Sequence, residues 1–197
     1  MISGIIMASG YSRRMNQNKL LLKYKGKTLI ETILDTFLRI DFLEKILVTR
    51  EEEILQLGKN NGFITIENKH ADKGISESIK LGIQASNDCD GYMFFTVDQP
   101  LLDENIINKL MKVFHQDPSY IIVPRHKGRR GSPVVFPRKF KKDLLGLEGD
   151  TGGKSIINKY LSQVRFVEID DEKSLFDVDT KEDYEKLLEW DGAAYDI

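Results

Sequence analysis

The 197-residue sequence has a single cysteine, Cys89, and only three histidines, His70, His115 and His126. One cysteine cannot form a disulfide within the chain, which fits a reducing compartment. The histidines lie far apart in the sequence without the spacing of metal ligands, and no Ser/His/Asp or Cys/His grouping accompanies them. The sequence therefore gives no support to a hydrolase or to a histidine-based metal centre.

The sequence also lacks long apolar runs and a strong net charge. No apolar stretch approaches the length that spans a bilayer, and the N-terminal one is interrupted by Gly4, unlike an export signal. Because 29 basic residues nearly balance 31 acidic ones, no overall field favours nucleic acid or an anionic membrane. We expect a cytoplasmic protein that binds neither nucleic acid nor membrane.

Strand-like and helix-like patterns alternate along the chain, which is typical of an α/β fold with a mostly parallel sheet. The predicted strands are Ile2–Met7, Lys45–Thr49, Phe63–Ile66, Gly91–Val97, Tyr120–Val123 and Val164–Ile169. The predicted helices are Leu29–Ile40, Ile75–Ala85, Glu104–His115, Ser155–Leu161 and Lys181–Trp190. We expect one three-layer domain over residues 1–190, with helices on both faces of a twisted sheet, and a frayed tail over residues 191–197.

The first predicted strand runs into a loop of small residues, and cationic side chains follow. The loop comprises Ala8, Ser9, Gly10, Tyr11 and Ser12, followed by Arg13, Arg14 and Lys19. Small residues let backbone N–H groups approach phosphate oxygens, and the cations then neutralise them. The loop has neither the glycine spacing of the dinucleotide fingerprint nor the Gly-Lys-Ser/Thr end of a P-loop, so it predicts another kind of phosphate site.

Asp98 directly follows the predicted strand Gly91–Val97, and Asp177 and Asp179 precede the last predicted helix. Ligands of open α/β sheets bind beyond the carboxyl ends of the strands. Mg²⁺ usually takes one or two carboxylates together with substrate phosphates. Asp98 is thus a candidate metal ligand, and the alternative is that it caps the helix that begins near Asp103.

The segment from Met7 to Lys19 resembles the signature loop of the MobA-like nucleotidyltransferases, Leu-Ala-(Ala/Gly)-Gly-x-Ser-x-Arg-Met-Gly-x-x-Lys. It departs from this pattern at Ser9 and at Asn16. These enzymes transfer a nucleoside monophosphate from an NTP to a phosphorylated acceptor. The resemblance continues in consistent order to about residue 190, and it implies a Rossmann-like fold of the nucleotide-diphospho-sugar transferase type.

The same resemblance implies roles for the loop and for the aspartates. The backbone of residues 8–12 would bind the nucleotide phosphates, and Arg13 and Lys19 would be the catalytic cations. Mg²⁺ would be held by Asp98 and Asp179. Asp177 remains the alternative second ligand, since Asp179 also lies where a helix cap belongs.

The segment Gly74-Ile75-Ser76-Glu77-Ser78 opens a predicted helix, where unpaired N–H groups and hydroxyls can bind a polar ligand. It resembles the Gly-x-Ser-x-Ser stretch of the molybdenum cofactor cytidylyltransferases, whereas guanylyl-transferring relatives have a Gly-Pro-Leu-type segment. The resemblance implies CTP as the nucleotide and Gly74, Ser76 and Ser78 as nucleotide-binding residues. An ordinary helix N-terminus would explain the same residues, and Glu77 departs from the family pattern.

Two later segments bear on the acceptor. The resemblance implies that Gly131, Ser132, Pro133 and Gly153 bind it, although Ser132 replaces a larger polar residue of the family. Arg129 and Arg130 would either grip an acceptor phosphate or form a solvated turn. The run Gly149-Asp150-Thr151-Gly152-Gly153-Lys154-Ser155 nearly spells a P-loop, but Glu148 stands where the first glycine is required and no buried strand precedes it.

These inferences predict a Mg²⁺-dependent enzyme that moves CMP from CTP to the terminal phosphate of the molybdopterin cofactor and releases pyrophosphate. A molybdenum hydroxylase apoenzyme would be a further partner. One alternative is a nucleotidyltransferase that acts on a sugar phosphate or another alcohol phosphate. The other alternative is a non-catalytic accessory protein that binds the molybdenum cofactor and delivers it.

Overall fold

The computed structural model describes residues 1–12, 14–15 and 17–190. Arg13, one of the two predicted catalytic cations, lies outside the described residues, as does the tail 191–197 for which fraying was predicted. None of the described helices is both long enough and apolar enough to cross a membrane.

The strands form one large, mostly parallel sheet and a small separate hairpin. The strands of the large sheet are β1 Ile2–Ala8, β4 Glu44–Thr49, β5 Ile64–Glu67, β6 Gly91–Thr96, β7 Ile121–His126, β8 Arg129–Arg130, β9 Val134–Pro137 and β10 Val164–Glu168. The hairpin pairs β2 Lys23–Tyr24 with β3 Lys27–Thr28. The order in the large sheet is β10-β7-β9-β6-β1-β4-β5, and β8 pairs with β7. The pairs β1–β4, β1–β6, β4–β5 and β7–β10 are parallel, whereas β9 runs antiparallel to β6 and β7.

Helices cover both faces of the sheet, so the predicted three-layer architecture is confirmed. The helices are α1 Leu29–Leu38, α2 Glu52–Asn60, α3 Ile75–Ala85, α4 Glu104–Gln116, α5 Lys141–Leu145, α6 Lys154–Lys159 and α7 Lys181–Trp190. One buried cluster packs α1, α2, α4 and α7 against the sheet, with Phe37 and Phe95 at 4.4 Å between ring centroids. The second cluster packs α3, α5 and α6 against the other face.

The register of the parallel strands brings their ends to one edge of the sheet. Met7 of β1 pairs with Thr96 of β6, and Ala8 pairs with Thr49 of β4. The loops that follow these strands therefore leave the sheet side by side. Because β9 is antiparallel, its first residue, Val134, pairs with Phe94 near the same edge.

Helix α1 begins at a reciprocal cap formed by Thr28 and Glu31. The Thr28 hydroxyl accepts a hydrogen bond from the Glu31 N–H at 3.3 Å, and the Glu31 carboxylate accepts one from the Thr28 N–H at 2.7 Å. These bonds satisfy N–H groups that have no partner within the helix. The hydrogen bonds from the Thr28 hydroxyl and N–H hold the pKa of Glu31 below its usual value.

We predict that Thr28→Ala lowers the free energy of unfolding by about 1 kcal/mol at neutral pH, as is typical of a lost N-cap. The difference from wild type should shrink as the pH falls below about 4, because a lowered carboxyl pKa contributes stability only while the group is ionised. Urea denaturation at several pH values measures both effects. Thr28→Ser keeps the hydroxyl and serves as the control; an equal loss in Thr28→Ser would contradict the role of the cap.

Candidate functional site

A cavity of about 490 Å³ lies at the sheet edge where β1 and β6 end. The predicted phosphate-binding loop forms one wall of it, and the first turn of α3 forms another. The predicted nucleotide-binding residues that line this first cavity are Ala8, Ser9, Gly10, Tyr11, Ser12, Gly74 and Ser78. The predicted cation Lys19 and the predicted metal ligands Asp98 and Asp179 line it as well. The strand ends have thus brought together residues that are far apart in the sequence.

Lys19 is shared by two carboxylates on this wall. Its ammonium donates to Asp98 Oδ2 at 2.8 Å and to Asp179 Oδ1 at 3.3 Å. The side chains of Lys19 and Asp98 are only 16% and 15% exposed, so solvent screens this contact little. Arg14 adds a second cation, with Nη2 at 3.0 Å from Asp179 Oδ2, but its side chain is 68% exposed.

The backbone of Lys19 is fixed by the loop that precedes it. Ser12 has a positive φ of 50°, which turns the chain, and its hydroxyl accepts a hydrogen bond from the Lys19 N–H at 3.2 Å. Asn18 caps the short 3₁₀ turn Lys19–Leu21 through its side-chain oxygen, which accepts from the Leu20 N–H. Leu20 is buried in the core and anchors the turn.

The two carboxylates meet because the segment before α7 is tied to the end of β6. The Val178 N–H donates to the Asp98 carbonyl at 2.8 Å, which holds Asp179 beside Asp98. Neither carboxylate is used as a helix cap. Asp103 caps α4 by accepting from the Ile106 N–H, and Thr180 with Asp183 caps α7. Both aspartates are therefore available for another role.

Burial and neighbouring charges perturb the pKa values of Lys19 and Asp177. Burial opposes the positive charge of Lys19, but the carboxylates of Asp98 and Asp179 outweigh it and raise the lysine pKa above its usual value. Removal of Asp177 from water, followed by the repulsion of the Asp98 carboxylate, raises the pKa of Asp177 to about 6. The site is thus a concentration of negative charge that Lys19 partly neutralises.

The donor set of this wall fits a hard divalent cation. Asp98 Oδ1 is buried and has no hydrogen-bond partner among the described residues, an arrangement that costs free energy unless something binds it. Within the described part of the chain, no group of three or more His, Cys, Asp and Glu residues forms a metal site of its own. A cation held by Asp98 and Asp179 would therefore need further oxygens from a substrate, as is typical of Mg²⁺. Asp177 does not line the cavity, so we retain Asp179 as the predicted second ligand.

The segment that opens α3 divides into residues that reach the cavity and one that does not. Gly74 and Ser78 line the wall, and the Ser78 hydroxyl accepts a hydrogen bond from the buried Asn68 amide at 3.1 Å. Ser76 is buried away from the wall, and its hydroxyl has no partner among the described residues. The backbone N–H of Ser76 instead donates to the Gly149 carbonyl, which joins this segment to the loop before α6.

A second cavity of about 790 Å³ adjoins the first, and the two share Met7, Ile75 and Thr96. Its floor is apolar and consists mainly of Ile79, Phe94, Val134 and Phe136. The predicted acceptor-binding residues Gly131, Ser132 and Gly153 line it, whereas Pro133, joined to Ser132 by a cis peptide bond, does not. Its charged lining residues among those described are all basic: Arg129, Arg130 and Lys154.

Three charged residues that line the first cavity, Arg14, Asp72 and Asp150, were not predicted as site residues, and neither was Asn68 behind its wall. Arg14 contacts Asp179, Asn68 supports Ser78, and Asp72 and Asp150 line the wall near α3. Arg14 had a recognisable signal, because it directly precedes Met15, as does the arginine of the resembling loop. Asn68, Asp72 and Asp150 carried no such signal, since each lies in a connection without strong periodicity.

A comparison with protein families matches residues 4–164 to the MobA-like NTP transferase domain. The chain belongs to this family. The predicted family is therefore confirmed. The matched residues include the loop after β1, Asp98 and the turn at residues 131–133, whereas Asp179 lies beyond them.

Relatives of known name span nearly the whole chain. The purine catabolism protein PucB of Bacillus subtilis is 27% identical and covers 93% of this chain and 94% of its own. The nicotine blue oxidoreductase of Paenarthrobacter nicotinovorans is 25% identical (95% and 96% covered). The molybdenum cofactor cytidylyltransferase of Escherichia coli is 26% identical (93% of each chain covered). These names differ in the activity that they state, so the family alone does not determine the acceptor.

Solved structures share the fold. A nucleotidyl transferase from Methanothermobacter thermautotroptrophicus superposes with a TM-score of 0.82 at 22% identity and covers 96% of this chain and 97% of its own. Rv0371c of Mycobacterium tuberculosis, solved in complex with manganese, superposes with a TM-score of 0.79 at 24% identity (95% and 98% covered). A protein of this fold thus binds a divalent cation.

We predict that Gly74→Ala disrupts the wall formed by α3 and the loop before α6. Gly74 has φ 96° and ψ 179°, a conformation open essentially to glycine alone, and a Cβ there would lie 2.4 Å from the Gly149 carbonyl group. We expect a loss of roughly 1–3 kcal/mol in the free energy of unfolding. Nucleotide affinity should fall as well.

Gly152→Ala is the matched control in the same contact region. The nearest atom to its added Cβ is Ile75 Cγ2 at 3.7 Å, an ordinary contact. Chemical denaturation and nucleotide titration should therefore separate the two variants. If Gly74→Ala proved as stable as Gly152→Ala, the close packing against Gly149 would not constrain this wall.

Proposed function

We propose that this protein transfers CMP from CTP to the terminal phosphate of the molybdopterin cofactor, in a Mg²⁺-dependent reaction that releases pyrophosphate. The observation that carries the proposal is the shared position of Lys19, Asp98 and Asp179 on the wall that the loop after β1 completes. This arrangement combines phosphate-binding backbone, a buried cation and carboxylates for a metal in one cavity. Nucleotidyl transfer needs these three elements.

The charges of the two cavities support binding of the nucleotide in the first cavity and of the acceptor in the second. The first cavity is lined by four carboxylates, Asp72, Asp98, Asp150 and Asp179, and by the cations Arg14 and Lys19 among the described residues. A bare triphosphate would be repelled there, whereas a triphosphate that brings a divalent cation would be accepted. The basic lining of the second cavity suits an anionic acceptor that brings no metal.

The mechanism requires positioning and charge neutralisation more than proton transfer. An oxygen of the acceptor phosphate attacks the α-phosphorus of CTP, and the bond to the bridging oxygen of the β-phosphate breaks. The electron pair leaves with pyrophosphate. No general base is needed, because the acceptor phosphate is already an anion.

Residues of the first cavity and the predicted cation Arg13 have distinct roles in this scheme. Backbone N–H groups of residues 8–12 bind the β- and γ-phosphates, and Lys19 stabilises the charge that builds on the α-phosphate and the leaving group, together with Arg13. Mg²⁺ held by Asp98 and Asp179 would neutralise further phosphate charge when bound. Gly74 and Ser78, at the far wall of the cavity, contact the nucleoside.

CTP is the favoured nucleotide on two grounds. The segment Gly74–Ser78 matches the cytidylyltransferase pattern, and Gly74 and Ser78 lie on the cavity wall. The E. coli cytidylyltransferase is also among the relatives that align over nearly the full chain. Relatives named as probable molybdenum cofactor guanylyltransferases make GTP the competing possibility.

The second cavity favours a ring-bearing acceptor over a sugar phosphate. Its floor presents Phe94, Phe136 and aliphatic side chains, which suit a flat heterocycle such as a pterin better than they suit the hydroxyl groups of a sugar. Arg129, Arg130 and Lys154 at its wall provide cations for the phosphate of such an acceptor.

The first experiment is a pyrophosphate-release assay with Mg²⁺ and molybdopterin cofactor, in which CTP, GTP, ATP and UTP are compared in parallel. We expect release with CTP alone. Release with GTP would keep the mechanism and overturn the base assignment. A second series with sugar phosphates in place of the cofactor tests the acceptor, and equal rates in that series would contradict a pterin-binding role of the second cavity.

A second candidate function is a non-catalytic accessory protein that binds the molybdenum cofactor and delivers it to a molybdenum hydroxylase. The observation that favours it is the set of departures from the family pattern at Ser9, Asn16, Glu77 and Ser132. PucB and the nicotine blue oxidoreductase, which align over nearly the full chain, also carry names that do not state nucleotidyl transfer. Cofactor binding without pyrophosphate release from any of the four nucleotides would select this function.

We predict that Lys19→Ala and Asp98→Ala each lower the transfer rate by roughly 10²–10³, the usual effect of removing one electrostatic stabiliser. The control is Lys27→Ala, which removes an exposed lysine from an ion pair with Asp35. Circular dichroism should show that all three variants remain folded. Rates near wild type in either site variant would overturn the assignment of the site.

A further inference from the structure

The position between Asp98 and Asp179 is filled by the ammonium of Lys19. Its nitrogen contacts one oxygen of each carboxylate, at 2.8 Å and 3.3 Å. A divalent cation held by Asp98 and Asp179 would lie within a few ångströms of this ammonium even if it bound the unpartnered Asp98 Oδ1, because both oxygens of Asp98 belong to the same carboxylate. The lysine and a metal would therefore be bound by the same groups.

The two cations cannot both be held at this position by the protein alone. An ammonium and a divalent cation a few ångströms apart repel each other, and the repulsion is strong where exposure to water is low. The two carboxylates that contact Lys19 carry less negative charge than an ammonium and a divalent cation together require. Asp72 and Asp150 also line the cavity, but they lie on the wall near α3 and form no ion pair with Lys19. A bound anion would supply the additional charge.

We infer that Lys19 and the divalent cation compete for Asp98 and Asp179, so that the metal enters the site together with the nucleotide and not before it. This inference rests on the metal site of the proposed function. The triphosphate supplies oxygens both to the metal and to the displaced ammonium of Lys19. Without nucleotide, Lys19 keeps the carboxylates neutralised and the metal affinity low.

The structure gives Lys19 the freedom that this exchange requires. Its backbone is fixed by the Ser12 hydroxyl and by the Asn18 cap, but its side chain has four rotatable carbon–carbon bonds. Lys19 lines the same cavity as the loop Ala8–Ser12, where the phosphates are proposed to bind. A rotation of the side chain alone would transfer the ammonium from carboxylate to phosphate.

Arg14 should compete with the divalent cation for Asp179 less strongly than Lys19 does. It contacts only Asp179, through an oxygen that Lys19 does not use, and its side chain is mostly exposed. An exposed ion pair contributes little, because water and salt screen it. Removing the side chain of Arg14 should therefore raise the affinity for the divalent cation much less than removing that of Lys19.

The test measures Mn²⁺ binding to the nucleotide-free protein from the electron paramagnetic resonance signal of free Mn²⁺. Wild type should bind Mn²⁺ weakly, and Lys19→Ala should bind it about tenfold more tightly, the change that corresponds to the loss of one charge-assisted competitor. Arg14→Ala should change the affinity less than Lys19→Ala. Lys159→Ala is the matched control, since Lys159 also pairs with an aspartate, Asp143 at 2.9 Å, outside both cavities.

The double variant Lys19→Ala/Asp98→Asn should lose the gain in Mn²⁺ affinity seen in Lys19→Ala. Such a loss would place the additional Mn²⁺ binding at Asp98. If Lys19→Ala unfolds, Lys19→Gln replaces it, because glutamine keeps a polar side chain without the charge. Thermal denaturation with and without Mn²⁺ gives an independent readout of Mn²⁺ binding. Mn²⁺ affinity equal to or below that of wild type in folded Lys19 variants would overturn the inference. Because no turnover is measured, a failure of pyrophosphate release would overturn the proposed function and leave this result unaffected.

Discussion

The candidate site depends on one electrostatic constraint, namely that two aspartates from distant parts of the chain share a single ammonium. Asp98 and Asp179 would repel each other in a poorly hydrated cavity, and Lys19 makes their proximity possible. The hydrogen bond from the Val178 N–H to the Asp98 carbonyl fixes the distance between the two segments. The buried side chain of Leu20 fixes the position from which Lys19 reaches the two carboxylates. Packing of the core thus determines the geometry of the charges.

The antiparallel strand β9 explains why a second cavity adjoins the first. Ligand-binding loops of a parallel sheet follow the strands, whereas the turn Gly131–Pro133 precedes β9 and still reaches the same edge because β9 runs in the opposite direction. Met7 and Thr96, on adjacent strands in register, then form a wall common to both cavities. A nucleotide in one cavity and an acceptor in the other would meet across this wall.

The sequence was sufficient for the long elements and for most of the predicted residues that line the first cavity, but not for contacts between distant segments. Strands such as β6 and helices such as α3 have strong apolar patterns, and their predicted bounds agree with the structure to within a residue. Helix α2 was missed because it is polar and has no side-chain cap, and β2 and β3 have only two residues each. Position at a strand end was enough to single out Asp98, whereas its sharing of Lys19 with Asp179 required the tertiary fold.

The two cavities are constrained by the fold to different degrees. The first cavity is built on β1 and β6, whose register is fixed by parallel pairing on both sides of β1. Much of the charged and polar lining of the second comes from turns and from the start of α6, including Arg129, Ser132 and Lys154. Substitutions at such surface positions disturb the core little. If the nucleotide and the acceptor occupy the two cavities as proposed, acceptor specificity can change while the nucleotide half is retained, and the acceptor of this protein is then to be inferred from its own second cavity.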